Sequence, residues 1–208
     1  MNKKILLLGD SNLTPLTGLI HDNHIRSHYD YHEKINETHS FSFYSFKNKD
    51  NELHFYIRPS FAYNINIKED IAKKFNNSDI SVILIWGYED INNDARFNNL
   101  EKAVENYLKE ILSKFNLSDI NLIYPMLTHK NLEENYNNSY NQWCDLLYKK
   151  SVEKGIKPPF KFFDDKWDII LKNKLNFVDE DHANFKTYAT IWQNFIEKSL
   201  NIDILKGL

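Results

Sequence analysis

The chain has one cysteine, five glycines, five prolines and three arginines in 208 residues. A lone Cys144 excludes an internal disulfide framework and a zinc cluster built on cysteines. No segment reaches the roughly 18 consecutive apolar residues that a membrane-spanning helix needs. The start, Met1-Asn2-Lys3-Lys4, is followed by only four apolar residues before Gly9-Asp10, whereas a signal-peptide core has about 7–15. That run is expected to be a buried first strand, and the cytoplasm is the expected compartment. An excess of one charge is also missing. With 26 basic and 29 acidic side chains the net charge is -3, which argues against a dedicated nucleic-acid binder. Lysine-rich patches at 149–150 and 172–174 are expected to be solvated helix faces.

What is present is ordinary globular material: 42% hydrophobic and 26% charged residues, enough for one domain spanning 1–208 with a real core. Asn, Lys and Ile are abundant, a bias of genome composition more than of function. Strand and helix patterns alternate along the chain. Residues 4–8, 81–86 and 120–124 are short apolar runs, as expected for central strands buried on both faces. Residues 41–46 and 53–57 flank a polar turn and read as a hairpin decorating one edge. Helical spacing of apolar residues marks 12–25, 67–75, 93–115, 131–153 and 185–200, and 160–163 reads as an edge strand. One α/β domain with a five-stranded, mainly parallel sheet follows.

In such a sheet, ligands bind beyond the carboxyl ends of the strands. Four strand-end segments therefore matter: Gly9-Asp10-Ser11-Asn12, Gly87-Tyr88-Glu89-Asp90, Tyr124-Pro125-Met126 and the turn Asp179-Glu180-Asp181-His182. Ser11 immediately follows the first strand, where a serine is exposed on a sharp turn or simply caps a helix. His182 follows Asp179 by three residues. The carboxylate can fix one imidazole nitrogen and leave the other as a base for a serine. Five further histidines (His21, His24, His28, His32, His39) cluster at spacings that could share a helical face. They are expected to be solvated or packing residues, and no metal or cofactor is assigned.

Gly9-Asp10-Ser11 after the first strand, Gly87-x-x-Asp90 after the mid-chain strand and Asp179-x-x-His182 before the last helix form an ordered set. Together they resemble the SGNH/GDSL hydrolase superfamily. The three blocks lie at 9–12, 87–90 and 179–184, so the resemblance spans nearly the whole chain. It implies a flavodoxin-like three-layer α/β/α fold, with Ser11 as nucleophile, His182 as general base and Asp179 as its orienting partner. It also implies acyl ester hydrolysis or acyl transfer, on O-acylated carbohydrates or small acyl esters.

Two departures stand out. The family's central block carries an asparagine that donates to the oxyanion, and Glu89 stands in its place here. An ionised carboxylate cannot donate, so Glu89 must be protonated or Asn92 or Asn93 must substitute. The family's glycine after the second strand is also missing. Arg58-Pro59-Ser60-Phe61-Ala62 occupies that position, with the Ser60 or Ala62 amide as candidate donor and Arg58 as a candidate anion contact.

Two rivals come from other classes. Asp10-Ser11-Asn12-Leu13-Thr14 approximates the start of haloacid-dehalogenase-like phosphatases. There Asp10 would be the nucleophile, with magnesium held by Asp164 and Asp165 or by Asp179 and Asp181. The aromatic content of 14%, including Phe61, Trp86, Tyr88 and Tyr124 near strand ends, also fits a glycan-binding module of the same fold without turnover.

Overall fold

The computed structural model describes residues 3–14, 26–34, 40–47, 51–57, 62, 65–75, 80–92, 99–160, 172–179 and 182–193. Its strands are β1 (Lys3–Gly9), β2 (Arg26–Lys34), β3 (Ser40–Lys47), β4 (Asn51–Ile57), β5 (Ile80–Ile85) and β6 (Ile120–Ile123). The helices are α1 (Glu69–Phe75), α2 (Tyr88–Asn92), α3 (Leu100–Lys114), α4 (Glu134–Glu153) and α5 (Phe185–Ile191). All six strands join one sheet in the order β2-β3-β4-β1-β5-β6.

Four neighbouring strands, β4, β1, β5 and β6, run parallel, while β2 and β3 extend the sheet antiparallel from β4. The sheet is thus mixed and six-stranded where the sequence predicts five. A fifth parallel strand beyond β6 is represented by a single bridge, Ile123 to Phe160; residues 161–163 of the expected edge strand lie outside the described residues. The 41–57 pair is antiparallel as expected, but its second member is no edge decoration. β4 lies against β1 in the sheet interior, with Leu53, His54, Phe55, Tyr56 and Ile57 all buried. Continuous burial on both faces is what a strand covered by helices requires. β2 escapes sequence analysis altogether. His28 and His32 lie on that strand, which removes the shared helical face; His21, His24 and His39 lie outside the described residues.

The core forms where apolar runs meet apolar helix stripes. Ile5, Leu6, Leu7 and Leu8 of β1 are wholly buried, as are Val82, Ile83 and Leu84 of β5. Each such side chain contributes about 1.5–3 kcal/mol by leaving water. α3 buries Leu100, Ala103, Val104, Tyr107, Leu108 and Ile111, an i, i+3, i+4, i+7, i+8 stripe, and opens with Asn99 accepting from Lys102 N at 2.8 Å. α4 buries Tyr136, Tyr140, Trp143, Leu147 and Ser151 and ends at Gly155, whose φ of 75° is the left-handed turn expected after a helix. The 131–153 expectation is trimmed by a separate 3-10 turn, His129–Leu132, that precedes α4. Of 12–25, only a 3-10 turn at Ser11–Leu13 falls among the described residues. No helix of the described residues is long and apolar enough to cross a membrane.

The topology decides where a site can form. From β1 the chain builds β2, β3 and β4 on one side, then returns to place β5 on the other. The carboxyl end of β1 is therefore the switch point, flanked by loops that diverge. Gly87, one residue past the β5 segment and Trp86, has φ +129° and a Cβ there would lie 2.4 Å from the Trp143 indole. Both backbone and packing demand glycine. Gly87→Ala is expected to destabilise the fold by about 3 kcal/mol, lowering the melting temperature by roughly 6–12 °C. Thermal unfolding followed by circular dichroism checks this; a shift under about 2 °C would mean the α4 contact yields freely.

Candidate active site

Ser11 stands at the switch point because Gly9 lets the chain turn there. A Cβ on Gly9 would sit 2.6 Å from both the Ile85 carbonyl and the Leu13 side chain, so no larger residue fits between β5 and the following turn. Asp10 is the N-cap of that turn: its Oδ1 accepts from Asn12 N at 3.0 Å and from Asn12 Nδ2 at 3.1 Å. The capping role open to Ser11 in the sequence belongs to Asp10. The serine is left half-buried, with its hydroxyl directed to another element.

That element is the 172–185 segment. Val178 N donates to the His182 carbonyl at 2.9 Å, Phe177 bridges Ala183, and Asn184 N donates to Asn176 O at 2.8 Å. Asn184 then caps α5, accepting from Thr187 N at 2.9 Å. Within this tight turn the His182 backbone N–H donates to Asp179 Oδ1 at 2.8 Å, and His182 Nδ1 lies 3.0 Å from both carboxylate oxygens. The ring is thereby fixed with Nε2 facing Ser11 Oγ at 3.2 Å. The three residues picked from sequence come together across 171 positions of chain with hydrogen-bond geometry. Such an arrangement is chemically able to take the serine proton on Nε2 while the carboxylate holds Nδ1–H. A second tie joins the two halves: the Tyr188 hydroxyl of α5 donates to the Asn12 carbonyl.

Asp10 is the most perturbed carboxylate nearby. Burial pushes its pKa from 3.8 to about 6, against the donors of Asn12 and the Tyr88 backbone and with a further push from the Glu89 charge. The same burial bears on the phosphatase alternative. A carboxylate 2% exposed and occupied as a cap is not presented to a substrate. Asp164, Asp165 and Asp181 lie outside the described residues, among which no group of three or more His, Cys, Asp or Glu could hold a metal ion.

The other expected site residues separate. Ala62 is fully buried and its N–H donates to Asp90 Oδ2 at 2.6 Å, so this amide is already committed and is not a free oxyanion donor. Asp90, the last residue of the Gly87-x-x-Asp90 block, holds the loop after β4 through the Ala62 backbone N–H. Glu89 is half-buried in the first turn of α2, close enough for its charge to act on Asp10. Asn92 is exposed at the end of α2, and its side-chain carbonyl accepts from Lys130 Nζ at 3.2 Å. Arg58, Ser60 and Asn93 lie outside the described residues. Sequence reasoning passed over Lys130, which also donates to the Tyr88 hydroxyl, and Tyr188. A polar residue inside an apolar helical stripe, such as Tyr188, is the only signal that could have singled out either.

The chain has an SGNH/GDSL hydrolase-like three-layer α/β fold. A solved member of the lipolytic protein G-D-S-L family from Veillonella parvula superposes with a TM-score of 0.61 at 13% identity, covering 96% of this chain and 97% of its own. A catalytic mutant of an acetylxylan esterase from Geobacillus stearothermophilus superposes with a TM-score of 0.62 at 10% identity, covering 100% and 99%. No protein-family model matches the chain, and neither does any curated protein.

The raised Asp10 pKa makes a stability prediction. The folded state binds this proton more tightly than the unfolded chain, so Asp10 favours folding below pH 4 and loses that contribution as pH rises through about 6. The loss is on the order of 3 kcal/mol. Urea unfolding of wild type and Asp10→Asn at pH 4, 5, 6 and 7 isolates it. The wild type should lose ground to the variant across that window and hold a constant difference above it. A difference independent of pH would show that Asp10 is ionised throughout.

Proposed function

We propose that the protein is a serine-dependent acyl ester hydrolase or O-acyltransferase acting on an O-acylated carbohydrate or small acyl ester. The observation that carries the reading is the Asp179–His182–Ser11 relay, with 3.0 Å at one end and 3.2 Å at the other. Ser11 Oγ attacks the acyl carbonyl while His182 Nε2 takes its proton. The tetrahedral intermediate collapses as the protonated imidazole passes that proton to the departing alkoxide. Water or a sugar hydroxyl then attacks the acyl-enzyme, again giving its proton to His182, and Ser11 is regenerated. Asp179 stabilises the imidazolium, but its side chain is 58% exposed, so solvent screens part of that effect.

The oxyanion is the weak point of this chemistry. The Ser11 backbone N–H is one donor; the Ala62 amide is committed to Asp90. With Glu89 where an amide donor is usual, the described residues offer the tetrahedral oxygen few donors, and each one missing costs about 10²–10³ in rate. A glycan-binding module of the same fold is the second reading, and this shortage of donors is what favours it.

A serine-reactive fluorophosphonate separates the readings. Labelling is expected at Ser11 alone and is abolished in Ser11→Ala and His182→Ala. Labelling elsewhere ends the mechanism, and none at all favours the binding module. Turnover of a short-chain acyl ester between pH 5 and 9 tests Glu89 separately. Glu89→Asn is expected to raise the rate at least about tenfold, since an amide can donate where a carboxylate cannot. An unchanged profile would place Glu89 away from the reacting carbonyl.

A further inference from the structure

A cavity of about 260 Å³ opens beside the relay, walled by His129, Lys174, Phe177, Val178 and Asp179. Ser11 is not among its walls. Asp179 is shared, so the cavity adjoins the carboxylate side of the Asp179–His182 pair. We propose that this cavity is a binding subsite that takes a sugar ring bearing a negative charge. That affinity does not depend on the esterase reading above.

Four observations carry it. The size is below the roughly 300–1,000 Å³ of sites for drug-sized ligands, and suits one ring more than an extended chain. The Phe177 ring is half-buried and braced edge-on by His129 at 5.8 Å, a fixed aromatic surface for a pyranose face. The Lys174 ammonium is exposed and has no hydrogen-bond or ion-pair partner among the described residues, and His129 adds a second group able to carry positive charge. Asp179, the one acid in the wall among the described residues, has both oxygens turned to His182. A fatty acyl chain in the same space would cover the Lys174 ammonium and lose its hydration without return. The wall is also held in place. Lys174 begins a 3-10 turn capped by Asn173, and the Phe177–Ala183 bridge ties the backbone of that turn to the 182–184 segment.

A uronate carboxylate and a sugar phosphate share the required chemistry. Titration of full-length Ser11→Ala with glucuronate, glucose 6-phosphate, glucose and acetate, followed by nuclear magnetic resonance, tests the site without turnover. At least one of the two anionic sugars should bind at least tenfold tighter than both glucose and acetate. The same titration should shift Phe177 and His129 signals. Which of the two binds more tightly identifies the charged group. Adding Lys174→Met should erase the preference and Lys174→Arg should keep it; the lysine is on the surface, and an unchanged melting temperature verifies the fold. Equal affinity for glucose and both anionic sugars, or a preference that survives Lys174→Met, overturns the proposal. Lysine-dependent binding in a protein that no fluorophosphonate labels would leave the subsite standing and defeat the esterase reading instead.

Discussion

The Asp10 carboxylate holds together the two strand ends between which Ser11 stands. It gathers the Asn12 backbone and side-chain N–H groups and the Tyr88 backbone N–H. The first two close the turn after β1, and the third reaches across to the turn after β5. Remove that acceptor and three donors are left without it in a place water does not reach, each a loss of about 1–3 kcal/mol. The direction of Ser11 is therefore set largely by its neighbour, together with the Thr14 N–H that donates to the Ser11 carbonyl. Asn12 carries the constraint further, because its carbonyl takes the Tyr188 hydroxyl from the helix that follows His182. Ser11 and the helix that follows His182 are thus tied by one buried polar chain, Tyr88–Asp10–Asn12–Tyr188.

Much of this was legible in the sequence, for a reason specific to strands buried on both faces. The Ile5–Leu8 and Val82–Ile85 runs have no polar alternation, so only a helix-covered sheet accommodates them, and the residues after them fall at the carboxyl edge. Asp179 and His182 were readable because three residues of separation in a turn suffice for contact. What was not legible depends on long-range partners. β4 looked like one arm of a peripheral hairpin because Leu53–Ile57 is short; its place beside β1 is fixed by pairing across some 48 positions, which no local pattern encodes. β2 alternates only at Tyr29 and Tyr31, too briefly to mark a strand. The Ala62 amide looked free because its acceptor, Asp90, lies 28 residues on.

That same pair changes how the central block is understood. In Gly87-Tyr88-Glu89-Asp90, the glycine admits the Trp143 ring, the Tyr88 amide serves Asp10, and Asp90 fastens the loop after β4 through Ala62. These three positions have architectural work. Glu89 is half-buried on the first turn of a five-residue helix, where its charge acts on Asp10.

Charge near Ser11 depends in part on Glu89. Burial is the main reason the Asp10 pKa rises to about 6, and the Glu89 charge adds a smaller push in the same direction. A protonated Asp10 has one hydroxyl donor and one oxygen fully free to accept, so it can still cap Asn12 while presenting less negative charge to a developing oxyanion. An asparagine in place of Glu89 would remove the repulsion, let Asp10 ionise at lower pH, and add a donor. The two effects act oppositely on the tetrahedral oxygen, one adding negative charge beneath it and the other a hydrogen bond. The donor wins in magnitude: a directed hydrogen bond to the oxyanion is worth about 3–4 kcal/mol, whereas Asp10 already spreads its charge over two or three donors that screen it.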